Sequence, residues 1–205
     1  PGPATTVARA FQAAPWWQDQ GFGGRKALLQ AWKHAIADDA EGLAGVIATE
    51  TGKPDDDALL EIMLALGHLD WASKHAPRVL RRRMVSPGLV SANQKATLGY
   101  EPYGVVGVIG PWNYPLYTPM GSIAYALAAG NAVVFKPSDL TPGTALWIER
   151  KWEQVSGGHQ VFQVVTGGGE TGAALARAGC SKIAFTGSTA VGKQLVSDAL
   201  SLIHI

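Results

Sequence analysis

Cysteine is nearly absent: the 205 residues contain one, Cys180. No internal disulfide and no cysteine-based zinc cluster can form, and a reducing, cytoplasmic compartment fits such usage. Charge is also scarce. Asp, Glu, Lys and Arg make up 16% of the chain, against about 25% in an ordinary globular protein. The formal net charge of +1 provides no global field towards nucleic acid or membrane. Hydrophobic residues reach 47%, and the 25 Gly and 12 Pro show no collagen-like period. This composition excludes a disordered tail, a coiled coil and a disulfide scaffold. These 205 residues show no signal-peptide pattern and no internal repeat of fixed period. The chain begins at Pro1 rather than Met and reads as a piece of a longer protein.

Charge is uneven along the chain. Residues 1–100 hold 21 of the 33 charged side chains, and the 34 positions between Glu101 and Lys136 hold none. A bilayer span needs about 20 apolar residues in one run. Here Pro111, Pro115, Pro119, Gly121, Gly130 and Asn131 interrupt the stretch. A buried strand, helix and second strand account for it better.

The first half reads as helical. Leu28, Trp32 and Ile36, then Leu43, Val46 and Ile47, recur at helical spacing, with a break near Asp38-Asp39 and Gly42. A further helix starts after Gly52-Lys53-Pro54. Asp55, Asp56 and Asp57 sit in its first turn, where the helix dipole favours anions, and Leu59, Ile62, Met63, Leu66 and Leu69 form its stripe. Lys74, Arg78 and Arg81-Arg82-Arg83 crowd its C-terminal side, read as a solvated end complementing the dipole rather than a nucleic-acid patch. Residues 84–100 look extended and polar.

The second half repeats strand, turn and helix four times. Strands are expected at 105–109, 132–135, 161–165 and 182–185, with helices near 119–129, 142–155, 170–178 and 188–200. Thr118-Pro119 and Thr141-Pro142 look like N-caps followed by proline at the first helical position, and Gly130 suits a helix stop. The expected fold is α/β: a Rossmann-like parallel sheet flanked by helices, preceded by an N-terminal helical segment. The expected divisions are 1–83 (helical), 84–101 (extended, linking or oligomerising), 102–200 (dinucleotide-binding) and 201–205 (an atypical end).

Ligands of such sheets bind at the carboxyl ends of strands, so the four turns carry the candidate chemistry. In Gly110-Pro111-Trp112-Asn113-Tyr114-Pro115, two prolines fix the backbone around Asn113, whose amide could donate to a developing oxyanion or merely satisfy the turn. In Lys136-Pro137-Ser138-Asp139, a cation, a hydroxyl and a carboxylate could hold a ribose and its phosphates; alternatively Ser138 or Asp139 caps a helix and Lys136 faces solvent. Gly167–Gly172 matches G-x-G-x-x-G, but about 20 residues later, where the dinucleotide fingerprint wants an acidic residue, stands Val191-Gly192-Lys193. Gly187–Gln194 matches the P-loop pattern except that Gln194 replaces the hydroxyl residue that would ligate Mg²⁺. A glycine-flanked helix N-terminus able to bind an anion remains. None of His34, His68, His75, His159 and His204 has a partner at metal-ligand spacing. Cys180 precedes the fourth strand, away from the binding turns, and reads as structural.

Taken together, Pro111-Trp112-Asn113-Tyr114-Pro115, Lys136-Pro137-Ser138-Asp139, Val165-Thr166-Gly167-Gly168-Gly169 and Phe185–Gly192 resemble, in order, motifs of the aldehyde dehydrogenase superfamily. The resemblance implies an NAD(P)⁺-dependent oxidation of an aldehyde to a carboxylic acid. It implies that Asn113 is the catalytic oxyanion donor and that Lys136 and Asp139 hold the adenosine ribose. It implies that Gly169 admits the adenine side, that Gly187 and Ser188 face the pyrophosphate and that Gly192 permits close packing. Ile109, Trp112 and Ser138 complete the cofactor-binding set. Tyr117 and Met120 would contribute to the aldehyde pocket. NAD and NADP both stay open, because Asp139 stands where the family commonly has glutamate. The family's nucleophilic cysteine and general-base glutamate would follow Ile205, so the chain alone is expected to be inactive. The full-length enzyme is expected to be a cytoplasmic homo-oligomer binding aldehyde and dinucleotide, with no nucleic-acid or membrane partner. A P-loop-like nucleotide-binding protein and a non-catalytic binding module are the alternatives.

Overall fold

A computed structural model describes residues 2–200; the atypical end assigned to 201–205 lies outside the described residues. Four helices come first: α1 (Pro3–Asp19), α2 (Gly21–Ala37), α3 (Ala40–Thr51) and α4 (Asp55–Val79). Two short strands, β1 (Arg83–Val85) and β2 (Ala96–Leu98), pair antiparallel. The α/β repeat then runs β3 (Val105–Ile109), α5 (Tyr117–Ala128), β4 (Ala132–Lys136), α6 (Pro142–Ser156), β5 (Phe162–Val164), α7 (Gly169–Arg177), β6 (Lys182–Phe185) and α8 (Thr189–Leu200).

The last four strands form a parallel sheet in the order β5-β4-β3-β6. Right-handed crossovers therefore place α5 and α6 on one face. The return from β5 to β6 places α7 on the other, where α1 also packs. Strand order reverses between β3 and β6, which makes their carboxyl ends the crevice of the sheet. β3 and β4 are buried at every position, as expected for strands covered on both faces.

The N-terminal helices and the sheet share one core, in which Trp17, Trp32, Trp152 and Phe162 meet. Each indole of the first pair has a backbone acceptor on the α/β side: Trp17 Nε1 donates to Leu127 O at 2.8 Å and Trp32 Nε1 to Ile148 O at 3.0 Å.

Several local expectations are corrected. In α2 the buried stripe is Leu29, Trp32 and Ile36 rather than one through Leu28, which is only half-buried. In α4 the buried face is Ala58, Ile62, Ala65, Leu69 and Ala72, whereas Met63 is 62% exposed. Arg81, Arg82 and Arg83 lie beyond the end of α4 and are exposed, so Arg78 alone complements its last turn. Residues 84–100 are not continuously extended; turns separate β1 from β2. Thr118 and Pro119 sit inside α5, which begins at Tyr117. Thr141 does occupy the N-cap position of α6, but its buried hydroxyl makes no capping bond.

The missing caps come from distant side chains. Glu50 of α3 accepts from Gly143 N (2.6 Å), Thr144 N (2.8 Å) and Thr144 Oγ1 (2.7 Å) at the start of α6. Glu61 of α4 accepts from Leu116 N (2.9 Å) and Tyr117 N (3.1 Å) at the start of α5. At the other end of α5, Arg25 Nε donates to Ala128 O at 3.2 Å, and burial lowers the guanidinium's pKa. Both ends of α5 thus receive the charge sign its dipole favours, although the segment itself contains none.

On the surface, Asp70 joins α4 to α2 by accepting from Lys33 (2.8 Å) and Gln30 (3.2 Å), and it also pairs with Lys74 (2.7 Å). These bonds, Lys33's first, depress its carboxyl pKa below the ordinary value of 3.8. The stabilisation is therefore present above 3.8 and is lost as pH falls through the depressed folded-state value. Asp70→Asn should cost about 0.5–1 kcal/mol at neutral pH. In urea titrations the gap between variant and parent should close as the buffer is made strongly acidic; a gap independent of pH would contradict this account.

Candidate functional site

Register builds the site. Ile109 lies level with Lys136 on β4 and with Phe185 on β6. Gly110 N donates to Lys136 O (3.1 Å) and Thr186 N to Ile109 O (3.0 Å), so the three following turns emerge side by side. Ile109 Cδ1 approaches the Cα side of Gly172 in α7, and Lys136, its parallel neighbour, shares that face.

Lys136 is 6% exposed, not the solvated lysine of the alternative reading. Among the described residues it forms no direct ion pair. Desolvation lowers its pKa, while Asp139 and Glu170 act at longer range in the opposite direction. Its stem is buried while its Nζ, which is not one of the buried atoms without a partner, stays open to a polar or anionic group. Ser138 is half-buried and serves its own turn: its hydroxyl donates to Asp139 Oδ1 (3.2 Å) and accepts from Leu140 N (3.3 Å). Asp139 is exposed.

Gly187 and Ser188 precede α8. Ser188 Oγ accepts from Val191 N at 3.3 Å, leaving the first helical amides without intrahelical partners. A Cβ on Gly187 would stand 2.6 Å from the Phe185 ring, and one on Gly192 3.2 Å from it. Both glycines close on that ring, so a side chain at either position would have to push it aside, more at 187 than at 192. In the G-x-G-x-x-G turn the local demand falls elsewhere than on Gly169. Gly167 has φ +145° and faces Thr171, whereas a Cβ on Gly169 would meet nothing.

Trp112 and Asn113 are exposed at the tip of the first turn. Tyr117 is half-buried, but Met120 is fully buried in the core and cannot line a pocket in this structure. A groove of about 1050 Å³ follows the open edge of β6 from Cys180 to Gly187, Ser188 and Gly192. Asn113, Lys136, Ser138, Asp139 and Gly169 lie outside that groove. Cys180 sits at the N-terminal end of β6, and burial pushes its thiol up to about 11, the reverse of an activated nucleophile. Among the described residues no group of three or more His, Cys, Asp or Glu could hold a metal, and no helix is long and apolar enough to cross a membrane.

Sequence reasoning passed over Glu50, Glu61, Lys53 and Glu170. Glu61 had a readable signal: it falls between Ala58 and Ala65 on the apolar face of α4, where an unpaired carboxylate would not be tolerated.

A model of the "Aldehyde dehydrogenase family" matches residues 4–204. The N-succinylglutamate 5-semialdehyde dehydrogenase of Novosphingobium aromaticivorans is 37% identical over 198 residues, 94% of this chain and 41% of that protein. The protein of the same name from Salmonella paratyphi B is 37% identical over 199 residues, 94% and 39% of the two chains. Among solved structures, PnpE in complex with nicotinamide adenine dinucleotide matches with TM-score 0.89 and 34% identity over 96% of this chain and 40% of that one. The gamma-glutamyl-gamma-aminobutyraldehyde dehydrogenase of Burkholderia cenocepacia J2315 matches with TM-score 0.88 and 32% identity over 97% and 40%. The chain thus spans about two fifths of the length of the relatives it matches. The P-loop reading gives way to this match, and the chain belongs to the aldehyde dehydrogenase family.

Proposed function

We propose that these residues hold the dinucleotide and the oxyanion donor of an NAD(P)⁺-dependent aldehyde dehydrogenase, which oxidises an aldehyde to its carboxylic acid. The observation that carries this reading is the row of turns at the β3–β6 crevice, with Lys136 beside it, largely buried along its stem and without an ion pair among the described residues. Those residues fit a dinucleotide. Lys136 can donate to ribose hydroxyls or phosphate, Asp139 can accept from ribose, and the α8 N-terminus with Gly187 and Ser188 can face the pyrophosphate. The bound dinucleotide supplies the hydride acceptor. Asn113, at the exposed tip of its turn, donates its amide to the aldehyde oxygen as that oxygen gains charge. Ile109 and Trp112 flank the cofactor, and Gly169 leaves room above α7.

The nucleophile is not Cys180, which is half-buried, weakly acidic and at the wrong end of the sheet. In this reading 102–200 is the dinucleotide-binding unit buttressed by 1–83. The 84–101 segment, where Leu89 is 96% exposed, meets other subunits of a cytoplasmic homo-oligomer. A carboxylate at 139 favours ribose over its 2′-phosphate, so NAD is preferred to NADP.

Fluorescence titration of the purified chain should show NADH binding about tenfold tighter than NADPH, a difference of about 1.4 kcal/mol. ATP with Mg²⁺ should compete weakly. Tight Mg-ATP binding with no NADH binding would refute the proposal. Mixed with NAD⁺ and an aldehyde, the 205-residue chain should give no rise at 340 nm; steady NADH production would restore Cys180 as a candidate.

A further inference from the structure

We propose that Glu61, held by Lys53, is a positioning residue that sets the aim of Asn113; the catalytic part of this inference rests on the function proposed above. Glu61 is 1% exposed, and a carboxylate so placed is retained only with its oxygens fully engaged. One oxygen accepts from Leu116 N and Tyr117 N, the residues three and four positions after Asn113. The other oxygen is paired with Lys53 Nζ. That ammonium lies 3.9 Å from the centroid of the Tyr114 ring, immediately after Asn113.

The turn is therefore gripped on both sides of the buried Pro115. A cation–π contact holds Tyr114, and a charge-assisted pair of bonds holds the amides of 116 and 117. An ordinary N-cap would not do this. A local Ser or Asp satisfies helix amides but travels with its own helix, and the N-cap residue here, Leu116, has no side-chain bond to give. Glu61 instead ties the turn to α4, with Lys53 just ahead of that helix. An oxyanion donor needs placement within about 0.5 Å, and Asn113 itself is exposed. Its aim is thus inherited from residues 114–117.

The test is ¹⁵N NMR of the whole chain, with the Asn113 side-chain amide pair identified by its loss in Asn113→Ala. Glu61→Gln and Lys53→Met should each shift or broaden that pair. Both should also speed hydrogen exchange at Leu116 and Tyr117 by about tenfold or more, equivalent to about 1.4 kcal/mol. Lys53→Arg should restore both signals, because a guanidinium reaches carboxylate and ring alike. Ile62→Val, a mild core change on the same helix, should lower stability without moving the Asn113 pair. Should Glu61→Gln fail to fold, Lys53→Met and Tyr114→Leu decide the matter. Unmoved Asn113 signals in those variants, or an equal response in Ile62→Val, overturn the proposal. NADH titration of the unsubstituted chain reads the function separately: its failure removes the cofactor reading while the Asn113 result still decides the positioning role.

Discussion

Trp32→Ala should cost about 3–5 kcal/mol, the scale of truncating a large aromatic in a packed core. Trp32 is fully buried, packs edge-on against Trp152 at 5.3 Å between centroids and meets Phe162 at 5.0 Å. Its indole N–H is the partner of Ile148 O in α6. Alanine would open a cavity at the joint where α2, α6 and β5 meet and would remove the tie from α2 to Ile148 O, which keeps its own bond within α6. Total stability of such a chain is about 5–15 kcal/mol, so the variant should lose a large share of it and unfold at clearly lower urea concentration. Trp112→Ala supplies the control. That indole is 53% exposed on the first binding turn, and its loss should change stability by no more than about 0.5 kcal/mol. Urea denaturation of the two variants distinguishes them, and a Trp32→Ala loss below about 2 kcal/mol would show that the joint collapses around the hole.

Lys136→Met should weaken dinucleotide binding while strengthening the fold. On the binding side, one or two charge-assisted hydrogen bonds to ribose or phosphate disappear. At about 1.5–3 kcal/mol the dissociation constant for NADH should rise roughly 10–150-fold. On the folding side, desolvation lowers the pKa of this lysine, so the unfolded chain binds its proton more readily than the folded one. Stability attributable to Lys136 therefore rises with pH between the lowered folded value and 10.5. The cation that the ligand needs is lost over the same interval, so the affinity of the unsubstituted chain should fall there. Methionine removes both slopes. Calorimetry and NADH titration from neutral to alkaline pH would test the pair of effects. A Lys136→Met chain that binds NADH normally would end the assignment of Lys136 to the cofactor.

Strands were legible because their signal is local. Val105–Ile109 and Lys182–Phe185 are short runs rich in apolar and β-branched residues, with glycine or polar turns at their ends. The gathering of the four turns followed in turn, since parallel strands bring their carboxyl ends together whatever the loops contain. Helix caps were not legible. Thr118-Pro119 and Thr141-Pro142 have the composition of cap and first turn, yet the true acceptors are Glu61 and Glu50, 55 and 93 residues away. No window of sequence contains both partners of such a bond. The exposure of Met63 and the burial of Met120 share this origin, because one-dimensional periodicity gives a helix a stripe but not the neighbour that covers it. For the site, glycine at 187 and 192 was readable from the motif, but the reason for it, the Phe185 ring between them, was not.

The capping of α5 and α6 from afar bears on the order in which the chain acquires structure. Synthesis is vectorial, and the ribosome releases the earlier residues first. Arg25, Glu50 and Glu61 all leave the tunnel before the helices whose ends they satisfy, one of them 103 residues ahead of its acceptor. The N-terminal helices can therefore act as a prepared template on which the uncharged segment after Glu101 docks as it emerges. A circular permutation that placed that segment first would expose a long apolar stretch before any of its terminating charges existed.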